Sequence, residues 1–298
     1  MSTEAKPFLK WAGGKGQLLT QLSEHLPDRI SKEPFTYIEP FVGGGAMLFY
    51  LLQRFGNIRK VIINDINENL MLTYQVVKDN VEALVIKLDK LEKSYLGIAD
   101  QEGRSQLFYE VRERYNQHIG DSIERASQLI FLNKTCFNGL YRVNKRGLFN
   151  VPFGKYTNPT ICNPAVLRAD SQLIQSVQVE IVQGDYTQTL QHVDGLTFVY
   201  LDPPYRPLNA TSSFTAYAKG DFNDDDQRAL AAFCYQLSER GCLWMESNAD
   251  CSAKNSKDTF FEELYKDFRI ERVYASRFIN ANPNKRGKLT ELLIKNYE

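Results

Sequence analysis

The sequence is poor in the residues that build metal centres and disulfide frameworks. Its 298 residues include five cysteines and three histidines, and no two cysteines form a Cys-x-x-Cys pair. The cysteines are scattered along the chain, at Cys136, Cys162, Cys234, Cys242 and Cys251. An odd number of cysteines without metal-ligand spacing predicts reduced, structural thiols in a reducing compartment and no metal site.

Long hydrophobic runs and an excess of one charge are also missing. No apolar run approaches the ~18 residues that a membrane helix needs, and residues 1–8 carry Glu4 and Lys6 in place of the apolar core of a signal peptide. We therefore expect a cytoplasmic protein without membrane contact. The 36 basic residues balance 36 acidic ones, so nucleic-acid binding must be argued from local charge. The 43% hydrophobic and 24% charged content excludes a disordered or collagen-like chain.

What the sequence does contain is an alternation of strand-like and helix-like segments. Short β-rich runs occur at residues 37–38, 61–66, 177–182, 197–201, 242–247, 269–274 and 291–295. The clearest helical patterns lie at residues 44–53 and 226–239. Strands that alternate with helices predict an α/β fold with a largely parallel sheet.

Residues 67–159 differ from this alternation. Apolar residues recur there at helical spacing, and the best example of one apolar face is Val81, Leu84, Val85, Leu88 and Leu91. A chain of 298 residues corresponds to about two domains. We predict a sheet domain formed by residues 1–66 and 160–298, with residues 67–159 inserted as a mostly helical second domain.

Three consecutive glycines, Gly43 to Gly45, lie between the first predicted strand and a helix. Glycines at a strand-to-helix turn let the backbone approach a ligand closely, although a plain tight turn is the alternative. Asp65 lies near the end of the next strand, where an acid can hydrogen-bond the ribose hydroxyls of a nucleoside. Together the two features favour a nucleoside-containing cofactor.

The spacing of these residues restricts the cofactor. The glycines do not follow G-x-G-x-x-G, and residues 11–16 do not follow the G-x-x-x-x-G-K-[ST] pattern of a nucleoside triphosphate loop. S-adenosylmethionine, which carries no phosphates, needs only the ribose acid, the glycine turn and an adenine slot. Asp185 follows the strand at residues 177–182 and is placed to accept from the adenine amine; a helix N-cap is the alternative.

The tetrapeptide Asp-Pro-Pro-Tyr at residues 202–205 directly follows a predicted strand, at the end where α/β folds bind ligands. The prolines remove backbone donors and fix the loop, so it offers acceptors beside the aromatic face of Tyr205. Ionised Asp202 and a proline carbonyl suit a planar amine, such as the 6-amino group of adenine. A base in duplex DNA reaches such a pocket only by flipping out. A rigid turn that ends a strand is the alternative.

Basic charge is concentrated locally. Residues 133–158 contain five basic residues and no acid, with aromatic residues between them. The basic residues are Lys134, Arg142, Lys145, Arg146 and Lys155, and the aromatic ones are Phe137, Tyr141, Phe149, Phe153 and Tyr156. This pattern predicts phosphate neutralisation and base stacking, with a solvated hairpin as the alternative. A second cluster, Lys285, Arg286 and Lys288, either grips the DNA backbone or forms a solvated loop.

Several motifs, in order, resemble the bacterial and phage DNA adenine methyltransferase family. They lie at residues 8–15, 39–45, 137–142, 149–154 and 202–205, and so span nearly the whole chain. The resemblance implies methyl transfer from S-adenosylmethionine to the 6-amino group of adenine in double-stranded DNA, with GATC as the usual target. It also implies a Rossmann-like methyltransferase sheet whose inserted helical domain recognises DNA and ends in a basic hairpin.

The resemblance also implies roles for individual residues. The expected catalytic residues are Asp202, Pro203, Pro204 and Tyr205. The expected cofactor-binding residues are Trp11, Ala12, Gly13, Lys15, Glu39, Pro40, Gly43, Gly45, Asp65, Ile66, Asp185, Tyr186 and Asp202. The expected DNA-binding residues are Lys10, Phe137, Asn138, Leu140, Arg142, Asn150 and Pro152. Phe137 stands where some members carry a tyrosine, and Tyr141 where some carry a smaller residue.

Other functions stay open at this point. The same tetrapeptide suits methylation of another planar amine, in RNA or a protein amide, and the scaffold also suits a DNA-binding regulator without catalysis. A cytosine-carbon methyltransferase is disfavoured, since no cysteine directly follows a proline. We expect residues 206–221 to form a loop that orders over the flipped base, with a static loop as the alternative. We further expect a monomer at the nucleoid, with a cognate restriction endonuclease as a candidate partner.

Overall fold

A seven-stranded sheet forms the centre of the molecule. The computed structural model describes residues 4–11, 13–206, 222–253, 255–276 and 288–298. The strands are β1 (Phe35–Glu39), β2 (Ile58–Asp65), β3 (Gln178–Gln183), β4 (Thr197–Leu201), β5 (Leu243–Ala249), β6 (Arg269–Ser276) and β7 (Lys288–Lys295). Every strand predicted from the sequence is present, with bounds that differ by a few residues.

The strand order is β3-β2-β1-β4-β5-β7-β6. Strands β1 to β5 pair in parallel, whereas β7 runs antiparallel between β5 and β6. The chain changes direction across the sheet between β1 and β4, and open α/β sheets bind ligands at such a switch point. The carboxyl ends of β1, β2 and β4 bring the glycine turn, Asp65 and Asp202 to one edge. The prediction of a Rossmann-like, largely parallel sheet is confirmed.

The helices of the described residues flank this sheet. They are α1 (Leu19–Glu24), α2 (Ala46–Arg54), α3 (Glu68–Asp79), α4 (Val81–Gly97), α5 (Gln101–Asn116), α6 (Ser122–Thr135), α7 (Pro164–Gln175), α8 (Asp224–Glu239) and α9 (Phe260–Leu264). Side chains of Asn67, Asp100 and Asp121 cap the amino ends of α3, α5 and α6 by accepting hydrogen bonds from backbone amides.

Helices α3 to α6 follow one another directly, which confirms the mostly helical segment. Its predicted amphipathic helix is α4, which buries Leu84, Val85 and Leu88. These helices share one continuous hydrophobic cluster with one face of the sheet. The division into residues 1–66 with 160–298 and residues 67–159 stays a prediction.

Alternate residues of the strands enter two separate cores, as expected for a sheet covered on both faces. On β4, Phe198 belongs to the cluster shared with the helical segment, whereas Val199 packs with Leu230 and Phe261 on the side of α8 and α9. All five cysteines are buried, with free thiols. Among the helices described, none is long and apolar enough to cross a membrane.

Residues 136–153, between α6 and α7, fold back on themselves as a hairpin-like loop. Two isolated antiparallel bridges join Cys136 to Phe153 and Val143 to Phe149. Asn116 of α5 anchors the loop, because its side chain donates to the Phe149 carbonyl at 3.1 Å and accepts from the Phe149 amide at 2.8 Å. The predicted basic hairpin is present in this form, held by bridges and side chains.

The turn between β1 and α2 requires glycine because aromatic side chains fill the space beside it. Gly43 and Gly45 have φ values of +47° and +75°, which L side chains rarely adopt. A Cβ on Gly43 would lie 2.8 Å from Cδ1 of Trp11, and one on Gly45 would lie 2.5 Å from the hydroxyl of Tyr74. Tyr74 also donates to the Gly43 carbonyl at 3.0 Å. Packing therefore determines the shape of the turn.

Gly45→Ala should destabilise the fold more than Gly241→Ala. Both glycines have φ of +75°, but no atom lies within 4 Å of a Cβ at Gly241. Both variants bear the cost of a left-handed alanine, about 1–2 kcal/mol, and Gly45→Ala adds an overpacking cost of about 1–3 kcal/mol. Denaturant unfolding measures the difference. The difference in unfolding free energy between the two variants should shrink in a Tyr74→Phe background. Equal losses of unfolding free energy from the two glycine variants would contradict the packing argument.

Candidate active site and nucleic-acid interface

Asp65 lies at the carboxyl end of β2, beside the glycine turn. One carboxylate oxygen accepts from the Gly43 amide at 3.2 Å and the other from the Asn67 amide at 2.9 Å. Burial raises the pKa of this carboxyl to about 6, and the backbone amides oppose that rise. The next side chain, Ile66, is 61% exposed. A carboxylate and an uncovered apolar side chain therefore lie together at the ligand-binding edge.

Asn64, which sequence reasoning missed, supports this edge from inside. Its side-chain amide donates to the carbonyls of Pro40 at 2.9 Å and Gly184 at 3.1 Å. Glu39 is also buried and accepts from the Tyr37 hydroxyl at 2.8 Å, and its burial raises its pKa well above the usual range. Contact of Glu39 and Pro40 with a cofactor stays a prediction. The signal for Asn64 was a polar residue at the end of an apolar strand.

Asp185 caps a short 3-10 turn that begins at Tyr186. Its carboxylate accepts from the Thr187 amide at 2.9 Å, which is the capping geometry that the sequence left as the alternative. A hydrogen bond from an adenine amine to Asp185 stays a prediction. The Tyr186 ring packs against Phe41, with 5.2 Å between ring centroids, so it supports the loop that follows β1.

Trp11 joins the glycine turn to the hairpin-like loop. Its indole stacks on the buried Tyr141 ring, with centroids 4.9 Å and planes 22° apart. The same indole fills the space over Gly43. Gly13 has φ of +76° and bends the chain after Trp11, whereas Ala12 lies outside the described residues. The larger residue at position 141 thus provides a stacking surface inside the protein.

Three side chains surround Lys15 at the carboxyl end of β4. The Lys15 ammonium is 4% exposed and lies 3.0 Å from an Asp202 oxygen and 3.4 Å from a Glu291 oxygen. It also donates to the Tyr205 hydroxyl and lies 4.2 Å from the centroid of that ring. Tyr205 in turn donates to Glu291 at 2.6 Å. The sequence predicted Lys15, Asp202 and Tyr205, but not Glu291.

Within the described ranges, two acceptors of the Asp-Pro-Pro-Tyr loop have no hydrogen-bond partner. Lys15 pairs with one oxygen of Asp202; among the residues that the structure describes, none hydrogen-bonds the other oxygen or the Pro203 carbonyl. The Pro204 carbonyl accepts from the buried side chain of Gln227 at 3.1 Å. Burial raises the pKa of Asp202 to about 6, and Lys15 opposes the rise. Gln227 holds the loop and was not found from the sequence.

Lys10 and the turn at residues 137–139 lie together because Asn133 of α6 bonds both. The Asn133 side chain accepts from the Lys10 amide and donates to the Lys10 carbonyl, each at 2.8 Å, and donates to the Gly139 carbonyl at 3.0 Å. The Lys10 side chain covers Gly139, where a Cβ would lie 2.5 Å from Cδ of Lys10. In the turn, Asn138 has φ of +57° and Phe137 is 51% exposed.

Arg142 and Asn150 pair across the hairpin-like loop. Nε of Arg142 donates to the Asn150 side-chain oxygen at 2.8 Å, and the Asn150 amide donates to the Arg142 carbonyl at 3.1 Å. The Pro152 carbonyl accepts from the Phe137 amide at 2.8 Å, and Leu140 is half-buried. The structure therefore gathers the expected DNA-binding residues on this loop and the adjoining N-terminal segment. Their contact with DNA stays a prediction.

Some predicted features lie outside the described residues. Of the segment 206–221, Arg206 alone is described, and Lys285 and Arg286 are not. The backbone at Lys288 begins β7. Within the described ranges, no group of three or more His, Cys, Asp or Glu residues could hold a metal ion.

Known proteins match this chain along most of its length. A protein-family model described as D12 class N6 adenine-specific DNA methyltransferase matches residues 11–279. The chain is 50% identical to the type II methyltransferase M.MjaIII of Methanocaldococcus jannaschii, covering 99% of this chain and 100% of the relative. It is 36% identical to the type II methyltransferase M1.LlaDCHI of Lactococcus lactis subsp. cremoris, over 98% and 95% of the two chains. It is 32% identical to the DNA adenine methylase of Escherichia coli K12, over 97% and 94%.

Asn133→Ala should lower the free energy of unfolding by about 2–4 kcal/mol, because the buried Gly139 carbonyl and the part-buried backbone groups of Lys10 lose their partner. Asn144→Ala is the control: this exposed asparagine accepts from the Arg146 and Leu148 amides. Water can replace those bonds, so the expected cost is about 1 kcal/mol or less. Denaturant unfolding compares the two variants. Similar losses would show that Asn133 is not the anchor of this junction.

Proposed function

Because the chain belongs to the D12 class of N6 adenine-specific DNA methyltransferases, we propose that it methylates adenine within GATC in double-stranded DNA, with S-adenosylmethionine as the methyl donor. The target base flips out of the duplex into a pocket at the Asp-Pro-Pro-Tyr loop. The observation that carries the proposal is the cluster of Lys15, Asp202 and Tyr205 at the carboxyl end of β4. It offers a carboxylate oxygen beside an aromatic ring, as a planar amine requires.

The residues at the sheet edge fit S-adenosylmethionine better than a phosphate-bearing cofactor. Phosphates bind free backbone amides at glycine-rich turns, but the Gly43 amide donates to Asp65 and the Gly45 amide to the Val42 carbonyl. Asp65 offers carboxylate oxygens to ribose hydroxyls, and exposed Ile66 offers an apolar surface to adenine. When bound, S-adenosylmethionine supplies a methyl group on a sulfonium sulfur, which an amine attacks directly.

Asp202 and Pro203 prepare the target amine. The 6-amino nitrogen of adenine is a weak nucleophile because its lone pair is delocalised into the ring. Hydrogen bonds from its two N–H groups to the unpaired Asp202 oxygen and the Pro203 carbonyl localise that lone pair. The nitrogen would then bond the methyl carbon as the bond from that carbon to the sulfonium sulfur breaks and leaves a neutral thioether. The nitrogen would release one proton, which the Asp202 carboxylate is placed to receive. Catalysis is therefore mainly positioning and electrostatic stabilisation.

Tyr205 supplies the stacking surface for the flipped base. Lys15 lies 4.2 Å from the ring centroid, beside the hydroxyl to which it donates. Adenine stacks on a face of the ring, and such stacking contributes about 1–3 kcal/mol per base. The ammonium that pairs with Asp202 thus also contacts the ring that receives the base.

Recognition is assigned to the hairpin-like loop and Lys10. The basic, acid-free sequence of this loop suits phosphate neutralisation. An arginine can read guanine through two acceptors in the major groove. Asn150 accepts from Nε of Arg142 at 2.8 Å and from one terminal nitrogen at 3.5 Å, which leaves the remaining N–H groups of the guanidinium for a base. Exposed Phe137 is placed to insert into the duplex. The GATC assignment rests on the match of Lys10, Leu140 and Arg142 to the family's recognition positions.

The partners in the cell follow from the relatives. Two of them are named type II methyltransferases, which supports a cognate restriction endonuclease that cuts the same sequence. One catalytic loop and one recognition loop serve a single flipped base, which supports action as a monomer.

Methyl transfer from labelled S-adenosylmethionine to unmethylated duplex DNA, with mapping of the modified bases, tests the proposed function. We expect 6-methyladenine confined to GATC, with kcat falling as the pH drops through about 6, where Asp202 takes up a proton. Asp202→Ala should abolish transfer and leave cofactor binding largely intact. Asp267→Ala, which removes an exposed carboxylate bonded to Tyr235, is the control. Methyladenine at other sequences would overturn GATC, and cofactor binding without transfer would favour a regulator or another amine.

Arg142→Ala should relax the preference for one base pair of the site, at a cost of about 1–3 kcal/mol in discrimination. Asn150→Ala should cause part of the same loss, because Arg142 loses the partner that orients it. Lys145→Ala, in the same loop, should instead weaken binding to all sequences alike. Values of kcat/KM on duplexes with single substitutions in the site measure these effects. A uniform loss for Arg142→Ala would make it a phosphate contact.

A further inference from the structure

Glu291 is the charged member of the Lys15 cluster that the sequence did not predict. Strand β7 runs antiparallel to β5, so its first residues reach the edge where the parallel strands end. Glu291 is paired there with Ala249, the last residue of β5. The topology thus brings a carboxylate to the catalytic loop, although 86 positions separate Glu291 from Tyr205.

We propose that Glu291 is a positioning residue: its carboxylate fixes the Tyr205 hydroxyl and the Lys15 ammonium, and through them the ring face and the Asp202 carboxylate that receive adenine. This inference rests on the proposed function. One oxygen of Glu291 accepts from the Tyr205 hydroxyl at 2.6 Å and lies 3.4 Å from the Lys15 nitrogen. Because the same oxygen contacts both groups, it sets the position of the ring relative to the ammonium.

The hydrogen bond restrains the free end of the tyrosine. The two preceding prolines fix the backbone, and Gln227 holds the Pro204 carbonyl at 3.1 Å, so rotation of the Tyr205 side chain is the freedom that remains. Lys15 donates to the hydroxyl oxygen but cannot accept its proton, since an ammonium has no acceptor. Glu291 is the acceptor that completes the hydroxyl's hydrogen bonds and holds the ring in one orientation.

The charge of Glu291 also acts on Asp202. Glu291 raises the pKa of Asp202, whereas Lys15 lowers it. Removal of the Glu291 charge should therefore lower the pKa of Asp202 and keep it ionised at lower pH. The titratable groups that interact electrostatically with Asp202 are Lys15, Glu291, Tyr37, Glu39, Tyr200, Tyr205 and Glu246.

The test compares kcat, KM and the pH dependence of kcat for wild type, Glu291→Ala and Glu291→Gln. Glu291→Ala should lower kcat by about 100-fold, as misplacement of reacting groups does, with both KM values nearly unchanged. Glu291→Gln keeps an acceptor for the Tyr205 hydroxyl and should recover most of kcat. Both variants should shift the acidic limb of kcat to lower pH. In a Tyr205→Phe background, Glu291→Ala should cause a smaller further loss than in wild type, because the hydroxyl is gone and the contact with Lys15 remains.

Glu271→Gln on β6 is the matched control. Glu271 is also an ion-paired carboxylate of the antiparallel pair β6 and β7, and its partners are Lys295 and His25. It should leave kcat and the acidic limb unchanged, and thermal unfolding establishes that each variant is folded. A folded Glu291→Ala with wild-type kcat and pH profile would overturn the inference, as would losses that add to those of Tyr205→Phe. Wild-type protein that does not methylate adenine would instead overturn the proposed function.

Discussion

The site depends on the ion pair between Lys15 and Asp202. Lys15 is 4% exposed, and a buried ammonium is tolerated only with partners that replace its hydration. Those partners lie on the loop after β4 and on β7, so pairing holds the N-terminal segment against the sheet edge where ligands bind. The same contact opposes the rise that partial burial causes in the pKa of Asp202. One interaction therefore closes the fold at this edge and prepares its chemistry.

The N-terminal segment connects the parts of the molecule that the proposed reaction must coordinate. Lys10 is bonded through its backbone to Asn133 and covers the turn of the hairpin-like loop. Trp11 stacks on Tyr141 of that loop and fills the space above the glycine turn. Lys15 then reaches the catalytic loop. A shift of this short segment would move together the groups proposed for recognition, cofactor binding and catalysis.

The sequence predicts this site where its parts are continuous motifs at strand ends. The glycine turn, Asp65 and the residues 202–205 each follow an apolar strand, and parallel strands end at one edge. It does not predict Asn133, Gln227 and Glu291, which contact partners 123, 23 and 86 residues away in the chain. Only the packed fold brings such pairs together. Asp185 shows another limit, because an acid after a strand suits a ligand and a helix cap equally well.

Three acids at or near the Asp-Pro-Pro-Tyr loop differ in the partners that oppose desolvation: Glu39 and Glu246 are buried and Asp202 is partly buried. Glu39 accepts hydrogen bonds from neutral donors, and burial raises its pKa well above the usual range. Glu246 is bonded by Tyr265 and Asn248, and its pKa is raised to about 7. Asp202 contacts a cation, and its pKa is about 6. Desolvation raises the pKa of all three, and of these three acids Asp202 is the one whose rise a cation opposes. Lys15 thus favours the charged form of Asp202, which is the form that the proposed hydrogen bond from an amine requires.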